Sequence, residues 1–218
     1  ICVSAYYAND CLPFVVDRLR GLKGRLAPTH FGLEEDRSKS DRPISDTKAL
    51  DDLLAHKAPS FILFAGHGPY FFRSTGPRDF VVDAFMDDAQ EAETLLRQLL
   101  CDRLEYAHAS TPEERLHRNR LRKSTPYGEH EAWVGRDWNR YVPGLYWMTA
   151  LPTRLADRTG LPLDRVKEIA LHSEEVQAGL LLVTMYRDAG DWRPQSPAID
   201  SFCLEIPGLF SIQRIRPR

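Results

Sequence analysis

Along the chain the spacing of apolar positions switches between two and three-to-four residues, and each switch marks an element. Val3, Ala5 and Tyr7 alternate with Ser4 and Tyr6, the pattern of a strand. Asn9 or Asp10 then caps a helix in which Leu12, Val15, Val16, Leu19 and Leu22 recur three and four apart, with Gly24 near its stop. Residues 29–33 read as a short strand, and 34–46 as an exposed loop of mixed charge without apolar period. Asp46 caps a second helix striped by Ala49, Leu50, Leu53 and Leu54, which Pro59 ends.

The apolar run 61–64 suits a central strand, Gly66-His67-Gly68-Pro69 turns the chain, and 70–73 resumes as the next strand. Gly76-Pro77 precedes a further strand over 80–85, and Asp87 or Asp88 caps a helix with Leu95, Leu96, Leu99 and Leu100 inward. Thr111-Pro112-Glu113-Glu114 is a helix start: a Thr cap, Pro in the first helical position, and a Glu able to reach back to the cap amide. His130, Ala132 and Val134 alternate as a strand. Val142-Pro143-Gly144 opens the aromatic stretch Leu145-Tyr146-Trp147-Met148, which is expected to flow into a helix over 152–159 that Gly160 closes. Pro162 starts another helix, and His172, Glu174 and Glu175 are expected on a helix as well. Late strands are expected at 179–186 and 201–206, with an edge strand at 209–215. Helices and strands interleave, yet several strands follow one another directly. The expectation is an α+β fold, one domain over 1–218, its sheet mixed or mainly antiparallel and packed with several helices.

Composition narrows the function classes. The chain is 43% hydrophobic, enough for a sizeable core, and its 29 basic and 31 acidic residues leave a net charge of −2. Nucleic-acid binders are usually strongly basic because phosphate neutralisation dominates their affinity, so no nucleic-acid partner is expected. No apolar run approaches the roughly 20 residues that span a bilayer, so no membrane partner is expected either. Cys2, Cys11, Cys101 and Cys203 are scattered, without a CxxC pair, which suits buried thiols and a cytoplasmic protein. The chain opens at Ile1, so a preceding segment, a signal peptide included, is compatible with it.

Candidate chemistry is thin. There is no GxSxG elbow, and neither the Walker nor the dinucleotide pattern occurs. Cys11 lies near a helix start, where a thiol pKa can fall. Gly66-His67-Gly68 reads better as a turn than as a phosphate cradle. On a strand, Glu129 and Glu131 face away from His130, and His172 with Glu175 supplies only two ligands, so no metal or cofactor is expected. Glu34-Glu35-Asp36-Arg37-Ser38-Lys39 has the acidic-plus-lysine make-up of metal-dependent nucleases, but in a loop without a scaffold of strands. The basic run Arg115, Arg118, Arg120, Arg122 and Lys123 is expected to be a solvated helix face. An enzyme, a hydrolase for instance, would need a site assembled from distant residues such as His67, Asp83 and Glu131. The segment 133–147 holds three of the four tryptophans, threaded with Arg136, Asp137 and Arg140. Trp147 is expected to be buried; Trp138, Asn139, Arg140 and Tyr141 precede a Pro-Gly turn where they can be exposed. Trp, Tyr and Arg are the residue types enriched at interface hot spots.

Glu131-Ala132-Trp133-Val134-Gly135, followed by Tyr141 to Trp147 and a helix with Leu151 and Leu155, resembles bacterial immunity proteins of polymorphic-toxin and type VI secretion systems. The resemblance rests on a G-x-x-W step leading into T-x-L, here Gly144, Trp147, Thr149 and Leu151, and covers about a quarter of the chain. It implies a small, non-catalytic cytoplasmic protein that neutralises a cognate toxin or effector by binding it; a homodimer is compatible with it. Expected partner-binding residues are Glu34, Glu35, Asp36, Asp137, Trp138, Arg140 and Tyr141. Against a basic nuclease, the acidic Glu34, Glu35, Asp36, Asp87 and Asp88 would be natural contacts.

Overall fold

A computed structural model describes the chain except residues 37, 39–40, 57–58, 77–78, 127, 136 and 216–218, and at 122–125 and 128–131 it describes the backbone alone. Arg37, Lys39, Pro77 and Arg136, and the side chains of Arg122, Lys123, Glu129, His130 and Glu131, therefore lie outside the described part. The fold is α+β, with two compact units, Ile1–Ala109 and Ser110–Arg218.

In the first unit the strands are β1 (Cys2–Ala8), β2 (Pro28–Gly32), β3 (Arg42–Pro43), β4 (Ser60–Ala65), β5 (Pro69–Ser74), β6 (Asp79–Phe85) and β7 (Leu104–Ser110). They lie in the order β7-β1-β6-β5-β4-β2-β3, and the pairings from β1 through β3 are antiparallel. Helices α1 (Leu12–Arg20), α2 (Thr47–Ala55) and α3 (Ala89–Leu99) accompany them. Alternation decides the faces. Val3, Ala5 and Tyr7 pair across to Ala84, Val82 and Phe80, and the Tyr7 hydroxyl donates to the Leu99 carbonyl of α3 at 2.5 Å. The inward stripes Val15, Val16, Leu19 of α1 and Ala92, Leu95, Leu96, Leu99 of α3 are buried. On the opposite face, Ser4 and Arg73 both hydrogen-bond the buried carboxylate of Asp83.

The second unit contains α4 (Pro112–Asn119), the hairpin β8 (Arg120–Thr125) and β9 (Gly128–Trp133), β10 (Met148–Pro152), α5 (Thr153–Thr159), α6 (Leu163–Ile169), β11 (His172–Gln177), β12 (Leu180–Thr184) and α7 (Trp192–Glu205). β12 pairs antiparallel with β10 on one side and β11 on the other. Asp46, Asp88 and Thr111 cap α2, α3 and α4 as the sequence predicts, accepting from the amides of Ala49, Glu91 and Glu114.

Several expectations fail for identifiable reasons. The segment 201–206 is the end of α7 and not a strand. Ile199, Phe202, Cys203 and Ile206 are buried at helical spacing, and Pro197 inside the helix obscures the signal. His172 to Gln177 is a strand and not a helix, because Gly179 in a left-handed turn (φ 75°) folds it onto the apolar β12. The run 209–215 makes one isolated bridge, Val142 to Leu209, and then a 3-10 turn. β10 intervenes between Trp147 and α5, and β7, rich in weak strand formers such as Ala107 and Ala109, was not anticipated. The loop after Leu33 carries the two-residue strand β3. α4 ends at Asn119, so the basic run is not one solvated helix face: Arg118 is buried, and Arg120 begins β8.

Gly208 gives a direct check of the packing. Its φ is +79°, and a Cβ there would stand 2.6 Å from the Thr159 carbonyl oxygen and 2.8 Å from the Leu161 nitrogen. Gly208→Ala is expected to destabilise by about 3 kcal/mol, combining left-handed strain with overpacking, as read by urea unfolding.

Candidate functional site

The capping box of α4 does something other than the sequence suggests. Thr111 takes the Glu114 amide at 3.1 Å, but the Glu114 carboxylate turns into the core, where it is 0% exposed. One turn on, Arg118 (5% exposed) donates from Nε to Glu114 at 3.0 Å and from Nη1 to Asp200 of α7 at 2.8 Å. The other Asp200 oxygen meets His117 Nε2 at 2.7 Å and accepts from Ser196 at 3.0 Å. Glu114 also accepts the Trp147 amide at 3.4 Å, and the Arg118 guanidinium lies 5.9 Å from the centre of the Tyr146 ring. Burial pushes the Glu114 carboxyl up, against the pull of Arg118. Burial also acts to raise Asp200, but the hydrogen bond from His117 and the Arg118 guanidinium outweigh it and hold its carboxyl below the usual range. Arg118, between two carboxylates, is held firmly in its charged form.

Ser196, His117 and Asp200 have the composition of a hydrolase triad but not its wiring. A relay needs the carboxylate on one imidazole nitrogen and the serine on the other. Here Asp200 and Ser196 both meet Nε2, and Ser196 is 6% exposed. The cluster fastens α4 to α7; it is not an exposed nucleophile. Of the residues named for a distributed hydrolase site, the Glu131 side chain lies outside the described part. His67 contacts the Arg25 carbonyl through Nδ1 at 3.2 Å and packs on Tyr70, and burial lowers its pKa. Asp83 is instead engaged by Ser4 and Arg73. Cys11, with burial as the main cause and Asp10 adding to it, is pushed up to about 11, opposite to an activated thiol. Among the described residues no group of three or more His, Cys, Asp or Glu is placed to hold a metal ion, and no helix is long and apolar enough to cross a membrane.

Of the expected partner-binding residues, Glu34, Glu35 and Asp36 stand exposed in the first unit. Asp36 accepts the Ser38 amide and hydroxyl, at 3.0 and 2.7 Å, which lowers its pKa. Asp137, Trp138, Arg140 and Tyr141 of the second unit come together in one turn. The Asp137 carbonyl accepts the amides of Arg140 (2.9 Å) and Tyr141 (3.0 Å), and its carboxylate accepts that of Asn139 (3.2 Å). Arg158 holds the Trp138 carbonyl at 3.0 Å.

Both ends of this loop are clamped. On the leading side the Val134 amide donates to the Asn119 carbonyl at 2.8 Å, and the Asn119 side-chain amide donates to the carbonyls of Val134 (3.0 Å) and Pro143 (3.2 Å). Tyr146 in turn donates to Asn119. Gly135 fits there because it has no Cβ: one would lie 2.6 Å from Phe210 and 2.7 Å from Asn119, at φ +84°. On the trailing side Tyr141 packs on Phe210 with ring centres 5.1 Å apart, while Val142 exchanges backbone hydrogen bonds with Gly208 (2.7 Å) and Phe210 (2.8 Å). Just before the loop, Trp133 is 45% exposed with the Arg115 guanidinium 5.0 Å from its ring centre. The Glu114–Arg118 spacing of four was legible in sequence as a helix-face pair. The anchoring roles of Asn119, Phe210 and Asp200 were not, since nothing local marks contacts that span up to 83 residues.

Arg118→Met leaves Glu114 buried without its cation and is expected to cost about 3–5 kcal/mol, whereas adding Glu114→Leu recovers most of the loss. Denaturant melts of the two variants decide this. Because Asp200 is depressed in the fold, its contribution is fully present above the ordinary value of 3.8 and is lost as pH falls through the lower folded value. Glu114, raised, acts in the opposite sense. Asp200→Asn is therefore expected to flatten the acid side of the stability-against-pH curve relative to wild type.

Compared with protein-family models, curated proteins and solved structures, the chain has no match.

Proposed function

We propose that this chain is an immunity protein that binds a cognate bacterial toxin through the clamped loop and blocks its active or substrate surface stoichiometrically, without chemistry of its own. The observation that carries the reading is the loop itself. Trp138, Arg140 and Tyr141 are hot-spot residue types, and they are held at both ends by Asn119, Gly135 and Phe210. A loop fixed before binding loses little conformational freedom on association, which is what a tight inhibitor requires. The exposed Trp133 with Arg115 extends the same kind of surface. The resemblance of 131–151 to immunity proteins points the same way. Glu34, Glu35 and Asp36 are a second contact, exposed and acidic, suited to a basic toxin such as a nuclease; the reading places the encounter in the cytoplasm.

The test is co-expression with the product of the adjacent gene. The expected result is restored growth and a 1:1 complex. Trp138→Ala and Arg140→Glu each weaken that complex by tenfold or more, about 1.4 kcal/mol or above. Reversing Glu34, Glu35 and Asp36 to Lys mainly slows association at low salt. Absence of any complex with the neighbouring product, or full protection by a chain carrying both loop substitutions, contradicts the reading.

A further inference from the structure

The last turn of α7 leaves carbonyls without helical partners, as every helix end does. Here one side chain collects them. Arg214 donates from Nη1 to the Leu209 carbonyl at 2.9 Å, and its Nη2 is shared among the carbonyls of Leu204 (2.7 Å), Cys203 (3.2 Å) and Ile206 (3.3 Å). A planar guanidinium offers several donors in fixed directions, and a cation is favoured at a helix C-terminus, so Arg suits this place better than Lys. A short turn keeps Arg214 within reach: its own amide donates to the Ser211 carbonyl at 3.1 Å, and the Ile215 amide to Ile212 at 3.2 Å.

The Leu209 carbonyl is the informative acceptor. The others belong to the end of α7, whereas Leu209 lies between Gly208 and Phe210, whose backbones embrace Val142. Leu209 is itself the bridge partner of Val142. The Phe210 ring packs on Tyr141 and occupies the space that a Cβ on Gly135 would need. Arg214 therefore ties the strip 208–210 to α7 on one side, while on the other the strip grips both ends of the loop. Leu209, Phe210 and Ile212 are buried, so apolar contact keeps the strip docked. Apolar burial has no direction, however, and the hydrogen bonds set how the backbone of the strip lies.

We propose that Arg214 is a positioning residue for the partner-binding loop: it fixes the strip 208–210, and the strip presets Gly135, Tyr141 and Val142 before contact. The functional half of this proposal rests on the loop being the binding surface.

The test uses the whole chain as wild type, Arg214→Met and Arg214→Lys. In amide hydrogen exchange of the free chain, Arg214→Met is expected to speed Val142 and Phe210 about tenfold or more, while Val134, held separately by the Asn119 carbonyl, keeps its wild-type rate. Arg214→Lys falls between the two, because one ammonium cannot reproduce the fork that joins Leu209 to α7. With the product of the adjacent gene, Arg214→Met weakens the complex about three- to tenfold through lost preorganisation. The salt dependence of association stays as in wild type, because Arg214 acts through the strip and not on the partner. Wild-type exchange at Val142 and Phe210 in Arg214→Met overturns the positioning role. Equal acceleration at Val134 overturns it too, since that marks a general loss of stability. Selective acceleration with undiminished affinity overturns the link from strip to binding. Absence of a complex with the wild-type chain overturns the toxin reading instead, and the exchange rates alone then decide whether Arg214 sets the strip.

Discussion

Between the fully buried Glu114 and the half-buried Asp200, the Arg118 guanidinium occupies a place that water scarcely reaches. A cation there is tolerable only with both carboxylates in position, and a carboxylate as enclosed as Glu114 is tolerable only with its cation. The cluster thus imposes an all-or-none condition on the second unit: α4 and α7 dock together or three charges are stranded. Trp147 joins through its amide to Glu114, and Asn119, next in sequence to Arg118, fastens the chain at Val134 and Pro143. The geometry of the aromatic loop is therefore a consequence of charge pairing one helical turn away.

This division of labour accounts for a cluster that looks chemical and is not. His117, Ser196 and Asp200 have the composition of a triad, but both partners meet the same imidazole nitrogen, so the histidine cannot take the serine proton on one nitrogen while the carboxylate orients it through the other. The same residues serve well as a fastener, because both oxygens of Asp200 are engaged, one by Arg118 and the other by His117 and Ser196. At the surface stand Trp133 with its Arg115 and a turn in which Asn139 and Arg140 are exposed and Trp138 is half-buried, a composition suited to contact.

The sequence made the first unit largely legible, because alternation in β1 and helical spacing in α1 and α3 are local signals that the packing then obeys. Thr111, Asp46 and Asp88 were legible as caps for the same reason. α7 was not: Pro197 disguised a helix whose apolar residues face inward at three- and four-residue spacing. Nor was β11, whose polar residues form a strand only because β12 lies alongside. In the loop, the residue types of Trp138, Arg140 and Tyr141 showed in the sequence, but the clamp did not, since Gly135 fits only against Phe210, far along the chain. The burial of Arg118 has no local signal at all. A charge inside a basic run resembles a solvated face until Glu114 and Asp200 are placed around it.

Amide hydrogen exchange tests, without altering a residue, the proposal that the clamped loop is the surface by which this chain holds a partner. The measurement compares the free chain with the chain saturated by the product of its neighbouring gene. Slow exchange is expected at the clamped amides of Val134 and Val142 in both states, with new protection on binding at Trp138, Asn139 and Arg140. Rapid exchange at Val134 and Val142 in the free chain would contradict the clamp, and protection confined to other segments would contradict the loop as the contact.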